Sequence, residues 1–124
     1  TGVDVMTVSI GTVHGMYLAG VKSDLQIDLI KEIRESVTDE NVHLGMHGCS
    51  GTEYDQVVAA VDAGIRKINY FTAMDTSVTP AIAAMLKEHE GRPMNYSVLA
   101  NKIAYEELKK GAKKALEMFM ASKK

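Results

Sequence analysis

Two periods divide the apolar positions along the chain. Val3 to Ile10 is rich in β-branched residues, Val42 to Met46 is a short apolar run, and Ile65 to Thr72 begins apolar and ends polar. Runs of that length and composition predict strands. Between and after them, apolar residues recur at helical spacing. Leu29, Ile30, Ile33 and Val37 predict a helix over about Gln26 to Val37, and Val57, Val58 and Val61 predict another over about Glu53 to Ala63. Thr52 is the expected N-cap of that second helix, and Gly64 its left-handed C-terminal residue. Ile82, Met85 and Leu86 predict a third helix over about Pro80 to Glu90, with Pro80 in its first turn and Gly91 as its stop. After Arg92-Pro93 a longer helix is expected from about Tyr96 to Met120. Its stripe is Val98, Leu99, Ile103, Leu108, Ala112, Leu116 and Phe119, weakened at Gly111.

Strands separated by helices of this length predict right-handed βαβ units and a parallel sheet. A doubly wound sheet and part of a (β/α) barrel both satisfy the pattern, and both place their sites at the C-terminal ends of the strands. Three strands do not close a barrel, so the barrel reading requires about five more units upstream. The chain opens on Thr1 directly before a strand and reads as a piece of a longer one, a single partial domain over residues 1–124 with its N-terminal strands missing. No linker or low-complexity tract divides it. The loop from Gly11 to Ser23 carries three glycines and is expected to move.

Composition narrows the function classes. With 46% hydrophobic residues in 124, a buried core is within reach. A net charge of -2 and 24% charged residues suit neither nucleic acid nor a disordered acidic tail. The single Cys49 excludes an internal disulfide and points to a reducing compartment, the cytoplasm. No apolar run approaches the roughly 20 residues of a membrane helix, and no signal peptide is present.

The candidate chemistry lies at the strand ends. His14 and His47 each follow a strand-like run and precede a glycine, so parallel neighbours would bring both imidazoles to one cation. Two histidines are one short of a usual catalytic zinc set, and the alternatives here are a structural pair or a substrate contact. His43 lies on the same side of its strand one layer deeper and is expected to be an interior, hydrogen-bonded histidine. His89 is expected to be exposed at a helix end, well placed against the helix dipole. Gly48-Cys49-Ser50-Gly51 offers successive backbone N–H groups and a hydroxyl to an anion. Asn69 to Thr72 adds an amide, further N–H groups and a hydroxyl. Neither tip need be more than a tight turn, but two adjacent tips with the same donors point to phosphate. Cys49 has no evident base beside it and is expected to be a small turn residue. The lysine pairs 109–110 and 113–114 read as solvated helix surface.

Ser9-Ile-Gly-Thr-Val-His-Gly-Met-Tyr17, Leu44-Gly-Met-His-Gly-Cys-Ser-Gly51 and Gly64-Ile-Arg-Lys-Ile-Asn-Tyr-Phe-Thr72 together resemble the class II, zinc-dependent ketose-bisphosphate aldolases. In order and spacing they are similar to that family's sixth, seventh and eighth strand tips, and the resemblance covers nearly the whole chain. It implies the C-terminal part of a TIM (β/α)8 barrel, about its last three βα units plus a C-terminal helix. His14 and His47 would be two of three zinc ligands. Gly15, Gly48, Cys49 and Ser50, with Asn69, Tyr70, Phe71 and Thr72, would meet the phosphate of the substrate. The resemblance implies cleavage of fructose or tagatose 1,6-bisphosphate to dihydroxyacetone phosphate and glyceraldehyde 3-phosphate. Zinc would act as the Lewis acid, a monovalent cation is a further candidate, and the chain would assemble as a dimer or tetramer. The family's Asp-His pair, which supplies the acid/base and the third ligand, has no counterpart in this sequence. The sequence also departs from the family: Leu18 stands where a lysine is common, with Lys22 the nearest substitute, Cys49 replaces glycine or alanine, and Tyr70-Phe71 is bulkier than usual. Two other readings stand beside this one. They are a different phosphate-sugar lyase on the same barrel, which a substrate panel would reveal, and a non-catalytic anion-binding α/β module without stoichiometric zinc.

Overall fold

The computed structural model describes residues 2–15 and 22–121. The loop expected to move falls in part on residues 16–21, outside the described residues, as does Leu18. Three strands, β1 (Val5–Thr7), β2 (His43–Met46) and β3 (Ile65–Ile68), form one parallel sheet in the order β1-β2-β3. The first strand is shorter than its β-branched run because β2 is its one partner among the described residues and the chain soon turns away. Val8 still donates to the Gly45 carbonyl, but the Ile10 carbonyl is already taken by Gln26, which leads into the first helix.

The helices are α1 (Ile27–Ser36), α2 (Tyr54–Ala63), α3 (Thr72–Glu88), α4 (Tyr96–Val98) and α5 (Tyr105–Phe119), with a π-helical stretch (Leu99–Ala104) joining the last two. Leu44 and Met46 from β2 and Ile65 from β3 are fully buried against Ile30 of α1, Val57 and Ala60 of α2, and Met118 of α5. Each of the larger of these side chains contributes on the order of 1.5–3 kcal/mol relative to exposure, and the Ala60 methyl less. The other face of the sheet is open: Thr7, His43 and Lys67 are exposed, as is Val5 at 41%. Alternation therefore sends one set of strand residues into the core and leaves the other set facing outward.

One irregularity matters for the site. β2 and β3 pair Leu44 with Ile65 and then Gly45 with Lys67, so Arg66 is an extra residue in β3. The Arg66 guanidinium holds the bulge by donating to the carbonyls of Val61 and Ile65. The bulge resets the alternation, so that Ile68 packs on the core while Lys67 and Asn69 share the open face.

Several expectations are corrected. The third helix begins at Thr72, eight residues before Pro80, and Pro80 lies inside it. Asp75 and Met74 donate to the Phe71 carbonyl, and the Thr76 hydroxyl bonds back to Thr72, so the first turns form without help from proline. Thr52 is not the N-cap of α2; Glu53 holds that position, and the Thr52 hydroxyl is buried without a hydrogen-bond partner among the described residues. Gly64 does end α2 at a positive φ of 126°. On the last helix, Leu108 and Leu116 are 38% and 58% exposed, and the buried line is instead Ala115 and Met118. Small residues serve there because α3 runs close by: a Cβ at Gly111 would stand 3.2 Å from Met74 Cγ. His43, expected to be interior and hydrogen-bonded, is exposed on the open face of this three-stranded sheet, where it opens β2 beside Arg34, Glu40 and Asp62. His89 caps α3 as expected of its position, but it is half-buried, with Nδ1 3.0 Å from the Met85 carbonyl. No described helix is long and apolar enough to cross a membrane.

Candidate functional site at the strand tips

β2 runs directly into His47 and β3 into Asn69, whose N–H donates to the Met46 carbonyl. His14 lies in the loop beyond β1, further from its strand than the length of the β-branched run predicts. Gly48 brings that loop in. Its φ of +73° turns the chain into a single 3₁₀ turn (Cys49–Gly51), and its missing side chain admits the backbone of Val13. At the far end of the loop, the buried Ser23 hydroxyl accepts from Glu53 N–H and donates to Gln56, tying the chain to the start of α2. Sequence reasoning passed over Ser23, which carries no signal beyond a lone serine before the first helix.

The result is a cleft of about 250 Å³ lined by His14, Gly15, His47, Gly48, Ser50, Asn69, Phe71 and Thr72. Larger hollows exist, such as the groove between α1 and α2, but that one lies on the helix surface away from the strand tips and has no histidine in its lining. Two expected residues point elsewhere. Cys49 is fully buried beneath the turn, and Tyr70 turns its ring edge-on to Phe119, 5.8 Å away. Alternation explains this, since Asn69 and Phe71 face the cleft and the residue between them faces the core. Neither Cys49 nor Tyr70 lines the cleft. Burial pushes the Cys49 thiol up to about 11 and raises Tyr70 as well, with nearby Cys49 adding to the second shift.

The two imidazoles meet across the cleft. His14 Nε2 lies 3.5 Å from His47 Nδ1, with ring centroids 5.4 Å apart and planes tilted by 47°. Two nitrogens bound at 2.0–2.1 Å to one tetrahedral zinc would be about 3.3 Å apart, so the pair fits two places of one coordination sphere. Among the described residues, no group of three His, Cys, Asp or Glu side chains could hold a metal ion, and the cleft lining has no carboxylate. Asn69 Nδ2 lies 2.8 Å from Nδ1 and 2.9 Å from Nε2 of His47, so the amide sits against the ring rather than along one lone pair. Its oxygen accepts from the Lys67 ammonium. Lys67 was not among the residues expected at the site; only the bulge at Arg66 brings it there.

The anion side is built from backbone and hydroxyls. Ser50 Oγ accepts the Phe71 N–H at 3.3 Å, tying the second tip to the third. Because α3 begins at Thr72, the positive end of a 17-residue helix dipole is at the cleft. A helix beginning at Pro80 would have left that end away from the site.

A family model described as class-II fructose-bisphosphate aldolase matches residues 1–124. Among solved structures, the chain is similar to the YdjI aldolase of Escherichia coli K12, at 27% identity and a TM-score of 0.70, over 98% of this chain and 42% of that one. It also shares its fold with a candidate fructose-1,6-bisphosphate aldolase from Coccidioides immitis, at 21% identity and a TM-score of 0.70, over 98% of this chain and 40% of that one. The chain thus spans about two-fifths of the length of these solved structures.

Proposed function

Because the chain belongs to the class-II fructose-bisphosphate aldolase family, we propose that it forms the metal- and phosphate-binding end of an enzyme that cleaves and condenses ketose 1,6-bisphosphates. The products of cleavage are dihydroxyacetone phosphate and glyceraldehyde 3-phosphate, from fructose or tagatose bisphosphate. The observation that carries this reading is the 3.5 Å approach of His14 Nε2, from the loop after β1, to His47 Nδ1 at the tip of β2. In this reading both histidines hold zinc, which when bound supplies a Lewis acid for the ketone oxygen. Gly15, Gly48, Cys49 and Ser50, with the Asn69–Thr72 backbone and the start of α3, bind a substrate phosphate. Held there, the reacting carbons lie beside the histidines, which is where positioning lowers the barrier. The third ligand and the acid/base that moves the hydroxyl proton come from residues outside these 124. A sheet with helices packed on one face and Thr7, His43 and Lys67 on the other supports placement in a (β/α)8 barrel, whose interior those residues would line. We place the enzyme in the cytoplasm as a dimer or tetramer.

A coupled assay of triose phosphate release from fructose and tagatose 1,6-bisphosphate, run on the intact protein, tests the proposal. His14→Ala and His47→Ala should each lower kcat/KM by more than the roughly 10- to 100-fold lost with residues that merely orient a ligand. Near-wild-type turnover in both variants would overturn it. Phe71 favours a second reading with the same chemistry and another sugar, since its ring is 68% exposed and lines the cleft. Turnover of a different phosphorylated ketose, with none of the two bisphosphates, would select that reading.

A further inference from the structure

Lys67 stands on the open face of the sheet beside the cleft, with its ammonium on the Asn69 amide. The bulge at Arg66 pairs it with Gly45, where a Cβ would crowd Thr7 Oγ1 at 3.0 Å and Val5 Cγ1 at 3.3 Å but meet Lys67 Cδ in ordinary contact at 3.6 Å. The ammonium donates to Asn69 Oδ1, and the other end of that amide lies 2.8 Å from His47 Nδ1. An ammonium has donors and no acceptor, so the end of the amide facing it must be the oxygen. Rotating the amide by half a turn would set NH₂ against NH₃⁺ and turn the oxygen toward His47. Lys67 therefore removes one of two nearly isosteric orientations.

We propose that Lys67 is a positioning residue that fixes the Asn69 amide with its NH₂ group toward His47, so that Asn69 enters the cleft only as a hydrogen-bond donor. A donor in that place favours an oxygen that gains negative charge during reaction, whereas a flipped amide would oppose it. Lys67 itself need not touch the substrate. The kinetic part of this inference rests on the aldolase reading; the orientation of the amide does not.

The test has two arms on the intact protein. In ¹⁵N-labelled protein, with the Asn69 side-chain signals identified by their loss in Asn69→Ala, Lys67→Met should move those signals. It should also speed exchange of the amide protons with water by about tenfold, as for the loss of one hydrogen bond. Lys67→Arg, which keeps donors only, should restore the wild-type positions. Lys67→Gln, with the melting temperature checked in each case, replaces the methionine variant should that one not fold. In the kinetic arm, Lys67→Met should lower kcat about tenfold with KM within about twofold, yet change kcat by less than about twofold when introduced into Asn69→Ala. Unmoved Asn69 signals in Lys67→Met, or losses that multiply fully in the double variant, would overturn the proposal. A wild-type protein that cleaves no ketose bisphosphate would sink the aldolase reading alone and leave the amide signals to decide this one.

Discussion

A Cβ at Gly48 would stand 2.6 Å from the Val13 carbonyl oxygen and 2.9 Å from its carbon, on a backbone held at φ +73°. The neighbour is backbone, so it does not yield as a side-chain tip would. Gly48→Ala should therefore cost about 1–3 kcal/mol, the scale of a strained positive-φ residue, and should push the loop bearing His14 away from His47. Urea unfolding of the variant checks the first effect, and its zinc content the second. One residue further on, the Cys49 thiol is fully buried and its pKa stands at about 11, raised from an ordinary 9.0 by loss of solvent. With a raised pKa, the neutral thiol contributes stability that is complete below pH 9.0 and is lost as the pH climbs through about 11. Cys49→Ala should flatten that alkaline limb of the stability curve. In the folded protein at pH 8, a disulfide reagent should label Cys49 far more slowly than in urea, because about one thiol in a thousand is ionised. Equal rates in both would mean that the turn opens freely.

Among the elements, β3 and α3 show where sequence pattern carries and where it stops. The three strands, their parallel pairing and the first two helices follow from the spacing of Leu44, Met46, Ile30, Ile33 and Val57, which bury as their periods require. His47, Gly48 and Ser50 were legible because a histidine followed by glycines at the end of an apolar run serves packing poorly. Which side Asn69 faces was not legible. Strict alternation from Ile65 would turn it to the core, and only the extra residue Arg66 reverses that. A bulge depends on carbonyls gathered from α2 and β3, and no local pattern in Arg66-Lys67 announces it. Arg66→Ala, which leaves the Val61 and Ile65 carbonyls without this donor, should cost about 1 kcal/mol and loosen the Asn69 side chain. The start of α3 was missed for a related reason. Pro80 reads as a first-turn residue, but Thr72 to Val78 already form helix against it, and a proline inside a helix costs about 3 kcal/mol in lost bonding and crowding. Pro80→Ala should therefore stabilise the protein by about 1–2 kcal/mol after allowing for the freer unfolded chain. A rise in melting temperature confirms it, and a fall would show that α3 depends on the proline's shape.

At the scale of the molecule, the sheet has one packed face and one open face, and the residues that carry the proposed chemistry stand at the C-terminal rim of the open side. His14 comes from the loop after β1, and His47 and Asn69 from the tips of β2 and β3, so no single βα unit contains the site. The fold thus gathers two imidazoles, a helix N-terminus and an amide around a cleft whose lining carries no carboxylate among the described residues. The most direct test is the rate of fructose and tagatose 1,6-bisphosphate cleavage by the intact protein, measured before chelation, after exhaustive chelation and after zinc is returned. Loss of cleavage on chelation and its recovery with one zinc per site is the result expected from His14 and His47 as paired ligands. Full cleavage by metal-free protein would contradict the account at its centre.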